Sequence, residues 1–268
     1  MFRLKSKTFL LGEYTVLFGG SAIVLATDPE FQLIVNEAPG MSSLSGIDEN
    51  SSAFSFYGKH LDIFRDMSLE FIDPHNGAGG FGASSAQFVS LYKQYLATTG
   101  ETFCASRFLD EYRDLCNTNR VPGAISPSGA DCLAQYFGHH IYYDSTSNHV
   151  EKMEWPFDDL CVTFFKTGIK IATHEHLSTF AKPKQNDLSQ LNSYVVEAKC
   201  GLASKNLEML CESVQGFYDL ACQLGLVIES TQDIVRKLRK DTRVLAVKGC
   251  GALFADTILV VHYPTSSF

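Results

Sequence analysis

The chain has 268 residues, 45% of them hydrophobic, and a formal net charge of −8. That is ample material for one large domain or two modest ones, and it excludes a disordered chain. The acidic balance argues against nucleic acid, since the one dense basic run, Arg236, Lys237, Arg239 and Lys240, reads as the solvated end of a helix.

In chain order, Arg3, Lys5 and Lys7 precede the apolar Phe9, Leu10 and Leu11, but Gly12 and Glu13 interrupt that run at once. No signal peptide is expected there, and no apolar run approaches a membrane span. Short β-type runs fall at 7–11, 22–26 and 31–35, with further strands expected at 53–57 and 69–72. Residues 84–98 form a helix pattern with Phe88, Leu91, Tyr92 and Tyr95 on one face. A second helix is expected at 103–117, a loop at 122–127, a short helix at 131–137 and a strand at 140–143. Strands followed by helices make an α+β unit rather than a repeating βαβ. Trp155 and Pro156 mark the expected domain boundary, giving domains 1–155 and 156–268. In the second domain a strand at 160–165 leads to helices at 186–200, 206–224 and 230–239. A hairpin-like pair of strands follows at 244–248 and 258–261. The eight cysteines include no Cys-x-x-Cys pair and read as reduced thiols of a cytoplasmic protein.

The most informative stretch is Gly77, Ala78, Gly79, Gly80, Phe81, Gly82, Ala83, Ser84 and Ser85, running straight into the first long helix. Glycines let a backbone approach a ligand closely, and a helix start presents unpaired N–H groups and a partial positive charge. Together they make an anion site whose usual occupant is phosphate. An ordinary glycine-rich turn with a serine N-cap is the alternative. Gly77, Gly79 and Gly82 fit the dinucleotide fingerprint in spacing, but no strand ending in an acid follows the helix. No Gly-Lys-Ser or Gly-Lys-Thr occurs, so a Walker loop is excluded. His174 and His176, two apart, and the adjacent His139 and His140 lack the i, i+4 spacing of a helical metal pair.

Four fragments in order carry a resemblance to the GHMP kinases, the galactose, homoserine, mevalonate and phosphomevalonate kinase family. The first runs from Lys7 through Gly12, Glu13 and Tyr14 to Gly19 and Gly20. The second is Gly80-Phe81-Gly82-Ala83-Ser84-Ser85-Ala86, similar to the family's Gly-Leu-Gly-Ser-Ser-Ala phosphate loop. Pro127-Ser128-Gly129-Ala130-Asp131 resembles the Pro-Ser-Gly-x-Asp of mevalonate kinases, and Lys248-Gly249-Cys250-Gly251-Ala252 resembles the C-terminal glycine turn.

The resemblance implies a two-domain fold: a ribosomal protein S5 domain 2-like N-terminal domain that binds ATP, and a ferredoxin-like C-terminal domain. It implies transfer of the γ-phosphoryl group of ATP to mevalonate, with phosphomevalonate as the alternative acceptor. Asp131 is then the catalytic carboxylate, taking or orienting the acceptor's proton, and Lys7 favours the developing negative charge. Read without the family, Asp131 is an acid in a helix's first turn and Lys7 a lysine on an edge strand. Gly79, Gly80, Gly82, Ala83, Ser84 and Ser85 bind the nucleotide, with Ser85 on phosphate and Mg²⁺ and Ser84 as the N-cap. Glu13, Tyr14, Ser128, Gly129, Lys170, Thr173, Gly249 and Gly251 fall on the substrate side.

The sequence departs from the family in three places. Arg120 stands where mevalonate kinases carry a Mg²⁺ carboxylate, so Glu111 or Asp114 is the substitute. The Gly-Glu-Tyr spelling and Arg120 both suit phosphomevalonate kinases. Leu253 and Phe254 replace glycines of the third motif. These departures motivate a reading of another class, a catalytically degenerate member that binds a nucleotide or metabolite. A small-molecule substrate, no nucleic acid, no membrane, and a monomer or homodimer complete the expectations.

Overall fold

The computed structural model describes residues 1–118, 125–166, 183–250 and 257–264. The chain forms two compact units, Met1–Lys7 with Ala26–His139, and Thr8–Leu25 with His140–Phe268. The division drawn at 155/156 runs along the chain, whereas compactness groups the segments by strand pairing.

The first unit takes the opening residues of β1 (Phe2–Leu11) and the second half of β2 (Ser21–Glu37). That half pairs antiparallel with β4 (Met67–Ile72), from Gln32 opposite Ile72 to Glu37 opposite Met67, and β3 (Ser43–Ser45) joins β4 in parallel. Helices α1 (Ser52–Lys59), α2 (Ala83–Thr99), α3 (Ala105–Thr118) and α4 (Ala130–Phe137) complete it. Its core is aromatic: Phe56, Phe88, Tyr92 and Phe108 are fully buried. The Phe56–Phe88 and Tyr92–Phe108 rings meet edge-on at 5.3 and 4.8 Å, an arrangement that suits the ring quadrupole.

Residues 53–57, expected as a strand, lie in α1. The Phe54-Ser55-Phe56 alternation reads as β, but the Ser51 side chain accepts from the Phe54 N–H and caps a helix. Phe56 then packs against Phe88, Tyr92 and Tyr95 of α2. Tertiary packing overrides the local pattern.

In the second unit the first part of β2 pairs with β5 (His140–Asp144), Ser21 opposite Asp144, and β5 pairs with β6 (His149–Met153). A three-stranded antiparallel sheet runs β7 (Cys161–Lys166), β9 (Thr257–His262), β8 (Val244–Cys250). Every residue of β9 is buried, which explains its unbroken apolar run. Helices α5 (Gln185–Ala203), α6 (Leu207–Gln223) and α7 (Glu229–Leu238) accompany this sheet. Leu10, Leu11, Leu191, Val195, Leu210, Phe217 and Leu259 belong to one buried cluster. Arg236 and Lys237 occupy the last turn of α7, where cations suit the dipole. No described helix is long and apolar enough to cross a membrane.

Candidate active site

The glycine-rich stretch begins at a turn organised by Asp73, whose carboxylate accepts from the N–H groups of His75 and Gly77 at 2.8 Å each. It ends at Gly82, the N-cap of α2, with a left-handed φ of 86°. A side chain here is strained by φ, and a Cβ would lie 2.7 Å from the Lys7 stem. Ser84 was expected at the cap; it lies instead inside the first turn and is exposed, because the left-handed glycine starts the helix at Ala83. Ser85 is 1% exposed, and its hydroxyl donates to the Gly82 carbonyl at 3.0 Å. The start of α2 thus has no side-chain cap, so its first N–H groups and its partial positive charge are offered outward.

α4 starts the same way. Gly129 is its N-cap at φ 78°, again without a side-chain cap bond, and a Cβ there would sit 2.4 Å from Leu109. Ser128 turns its hydroxyl to the Ala130 N–H at 3.2 Å, and its carbonyl accepts from Arg113 at 2.8 Å. This turn delivers Asp131 in the first turn of α4.

β1 brings Lys7 to the same place. The Lys7 N–H donates to the Phe81 carbonyl at 3.0 Å, so strand and loop are joined one residue before the cap. Strand alternation buries Ser6 and Thr8 and leaves Lys7 partly accessible. The Lys7 Nζ stands 3.8 Å from Asp131 Oδ2, beyond direct hydrogen-bond length, with side chains 13% and 22% exposed. The other Asp131 oxygen accepts from the Cys132 N–H at 3.0 Å. Gln135, one helical turn after Asp131, donates at 3.1 Å to both the Gly82 and the Lys5 carbonyls. It ties α4, α2 and β1 together, yet its own buried Oε1 meets no hydrogen-bond donor among the described residues. Gln135 was not singled out from the sequence; its i, i+4 relation to Asp131 was the available signal.

Glu13 and Tyr14 lie in the second unit, with different company. Glu13 Oε1 accepts from Lys248 Nζ at 2.7 Å, and the two side chains are 2% and 1% exposed. Burial works to lower the Lys248 pKa, but the neighbouring Cys250 and Glu13 outweigh it and the net direction is up. The Tyr14 hydroxyl donates to the Leu226 carbonyl at 2.6 Å. Glu13, Tyr14, Lys248 and Gly249 line a cavity of about 10 Å³, room for a single water.

Glu111 forms an ion pair with Lys59 at 2.8 Å, and its Oε1 lies within hydrogen-bond distance of His60 Nε2 at 3.1 Å. Among the described residues no three His, Cys, Asp or Glu side chains gather to hold a metal ion. Lys170, Thr173 and Gly251 lie outside the described residues, as do Arg120, Leu253, Phe254, His174 and His176.

No protein-family model matches the sequence, and no curated protein matches it. Solved structures do. The chain is similar to L. major mevalonate kinase in complex with R-mevalonate, with TM-score 0.73 and 20% identity, covering 99% of this chain and 87% of that one. It is similar to Streptococcus pneumoniae phosphomevalonate kinase in complex with phosphomevalonate and AMPPNP, with TM-score 0.78, 14% identity and 99% and 93% coverage. Lactococcus lactis galactokinase complexed with galactose matches at TM-score 0.75 and 11% identity, covering 97% and 85%. The chain has the GHMP kinase fold. Within that fold the α+β class expected from the sequence holds, and sugar and mevalonate kinases alike share the frame.

Proposed function

We propose that the chain is an ATP-dependent small-molecule kinase of the mevalonate pathway, transferring the γ-phosphoryl group to mevalonate, with phosphomevalonate as the second acceptor. One observation carries the reading. Lys7 lies against the uncapped glycine start of α2 and within 3.8 Å of the Asp131 carboxylate. Phosphoryl transfer needs a phosphate cradle, a positive charge and a carboxylate near the attacking hydroxyl, and these three converge in one unit. ATP phosphates are cradled by the first N–H groups of α2. Asp131 orients the acceptor hydroxyl and takes its proton as the bond to phosphorus forms. Lys7 offsets the charge that grows on the transferred group. Among the described residues no three His, Cys, Asp or Glu side chains cluster. A metal in this scheme arrives with the nucleotide, and no step is assigned to it.

Mevalonate leads because Pro127-Ser128-Gly129-Ala130-Asp131 delivers the carboxylate. The experiment is a coupled ADP-release assay with Mg·ATP against mevalonate, phosphomevalonate, homoserine and galactose. Mevalonate should stimulate release most. Stimulation by phosphomevalonate alone moves the assignment to the alternative acceptor. Release that no acceptor stimulates, with Mg·ATP still raising the melting temperature, replaces the kinase by a nucleotide-binding protein that does not turn over.

A further inference from the structure

β1 is gripped from two faces, and the second grip involves residues outside every motif discussed so far. Lys7 points to Gly82, Gln135 and Asp131. Ser6, its neighbour, points to the opposite face by strand alternation and is fully buried. There its Oγ stands 2.6 Å from the Pro29 carbonyl and 2.6 Å from His75 Nε2. The carbonyl can only accept, so the single Ser6 proton goes to Pro29, and His75 Nε2 carries the hydrogen that Ser6 Oγ accepts. The His75 ring is 8% exposed and lies flat on Phe81, centroids 4.1 Å apart and planes 5° from parallel. Phe31 also packs against the His75 ring, tilted, with centroids 5.5 Å apart.

This arrangement brackets the glycine stretch. His75 stands at its entry, held in the turn that Asp73 organises. Phe81 stands at its exit, one residue before the N-cap of α2, and its carbonyl receives the Lys7 N–H. Ring stacking and the bond to Ser6 therefore clamp both ends of the stretch onto β1. Between the clamps run Gly77, Gly79 and Gly80, which bring no side-chain packing of their own.

We propose that His75 is a positioning residue of the phosphate loop, fixing Phe81 and so the start of α2 against Lys7. The proposal rests on reading that helix start as the nucleotide-phosphate site. It requires a donor at Nε2 and a flat face on Phe81, and two substitutions separate these. His75→Gln keeps an N–H donor at similar reach and loses the stack. His75→Phe keeps the stack and loses the donor. His75→Ala loses both.

The test is steady-state kinetics of the three variants with Mg·ATP and the acceptor, beside amide hydrogen exchange across 77–85 in the nucleotide-free protein. Expected for His75→Ala is a KM for ATP raised by roughly tenfold or more, an unchanged KM for the acceptor, and faster exchange in the loop. His75→Gln and His75→Phe should each recover part of both losses. Wild-type exchange and ATP KM in both conservative variants overturn the proposal, as does an equal rise of both KM values. If the wild-type protein gains no thermal stability from Mg·ATP, the nucleotide reading falls and the proposed role falls with it. If it gains that stability and the variants match it in ATP KM and loop exchange, only the His75 assignment is lost.

Discussion

Each unit contains one lysine–carboxylate pair drawn from the motif residues, and the two differ in spacing and burial. Lys248 and Glu13 touch at 2.7 Å with both side chains sealed from solvent. Lys7 and Asp131 stop at 3.8 Å and keep part of each side chain accessible. A sealed pair has spent its charges on each other. The Lys7–Asp131 pair is spaced and partly accessible. On the proposed reading, contact distance and burial, more than residue type, distinguish the strut from the catalytic pair.

The sharpest way to break that contrast is Asp131→Asn. It should lower kcat by about 10²- to 10⁴-fold while the melting temperature stays near wild type. Retained activity removes Asp131 from the chemistry. Lys248→Met should do the reverse, costing about 3–5 kcal/mol of stability by stranding a buried carboxylate, as chemical denaturation would read. Joining it to Glu13→Leu should restore most of that loss, since two apolar groups leave no uncompensated charge. If the double variant is no better than the single one, the pair is not the strut described above. Lys7→Met should reduce kcat by roughly 10²-fold with little change in stability.

Two smaller effects sharpen the picture of the first unit. Gly82→Ala should cost about 1–2 kcal/mol for the left-handed backbone and raise the KM for ATP, because its Cβ displaces the Lys7 stem. A drop in stability with unchanged ATP KM would uncouple Gly82 from the nucleotide. Iodoacetamide mapping at neutral pH should modify Cys104 first and leave Cys132 untouched. The Ser106 hydroxyl and the Arg107 N–H lower the exposed Cys104 thiol, whereas burial pushes Cys132, beside Asp131, well up. Rapid labelling of Cys132 would mean that the α4 face behind Asp131 opens to solvent.

Much of the fold was legible because its long elements are strongly periodic. α6 buries one face at helical spacing, α2 is long and buried nearly all round its middle turns, and the centre of β9, Ile258–Val261, is apolar. Residues 53–57 misled because alternating Phe and Ser over so few positions satisfies either period, and what decides is packing against α2. In the site, Lys7, Gly82 and Asp131 stood out through local motifs, and Gln135 was one helical turn away from being found. Lys248 was quoted only as part of a glycine motif. Its partner Glu13 is 235 residues away, and no local pattern announces such a pair. His75 escaped for the same reason: its role depends on Ser6, 69 residues earlier.

The glycine caps of α2 and α4 carry one more consequence. The starts of α1 and α6 are closed by the side chains of Ser51 and Asn206, whereas the cap residues of α2, α4, α5 and α7 give no side-chain bond. Of these, α2 and α4 have glycine at the cap, and in α4 the Ser128 and Asp131 side chains still accept from first-turn N–H groups. On the proposed reading, a polar residue at position 82 that bonded to the first turn of α2 would compete from within with the nucleotide phosphate. The left-handed φ at both positions, with the Lys7 and Leu109 side chains close by, already disfavours such a residue, so backbone geometry itself keeps these helix starts free of a cap from within.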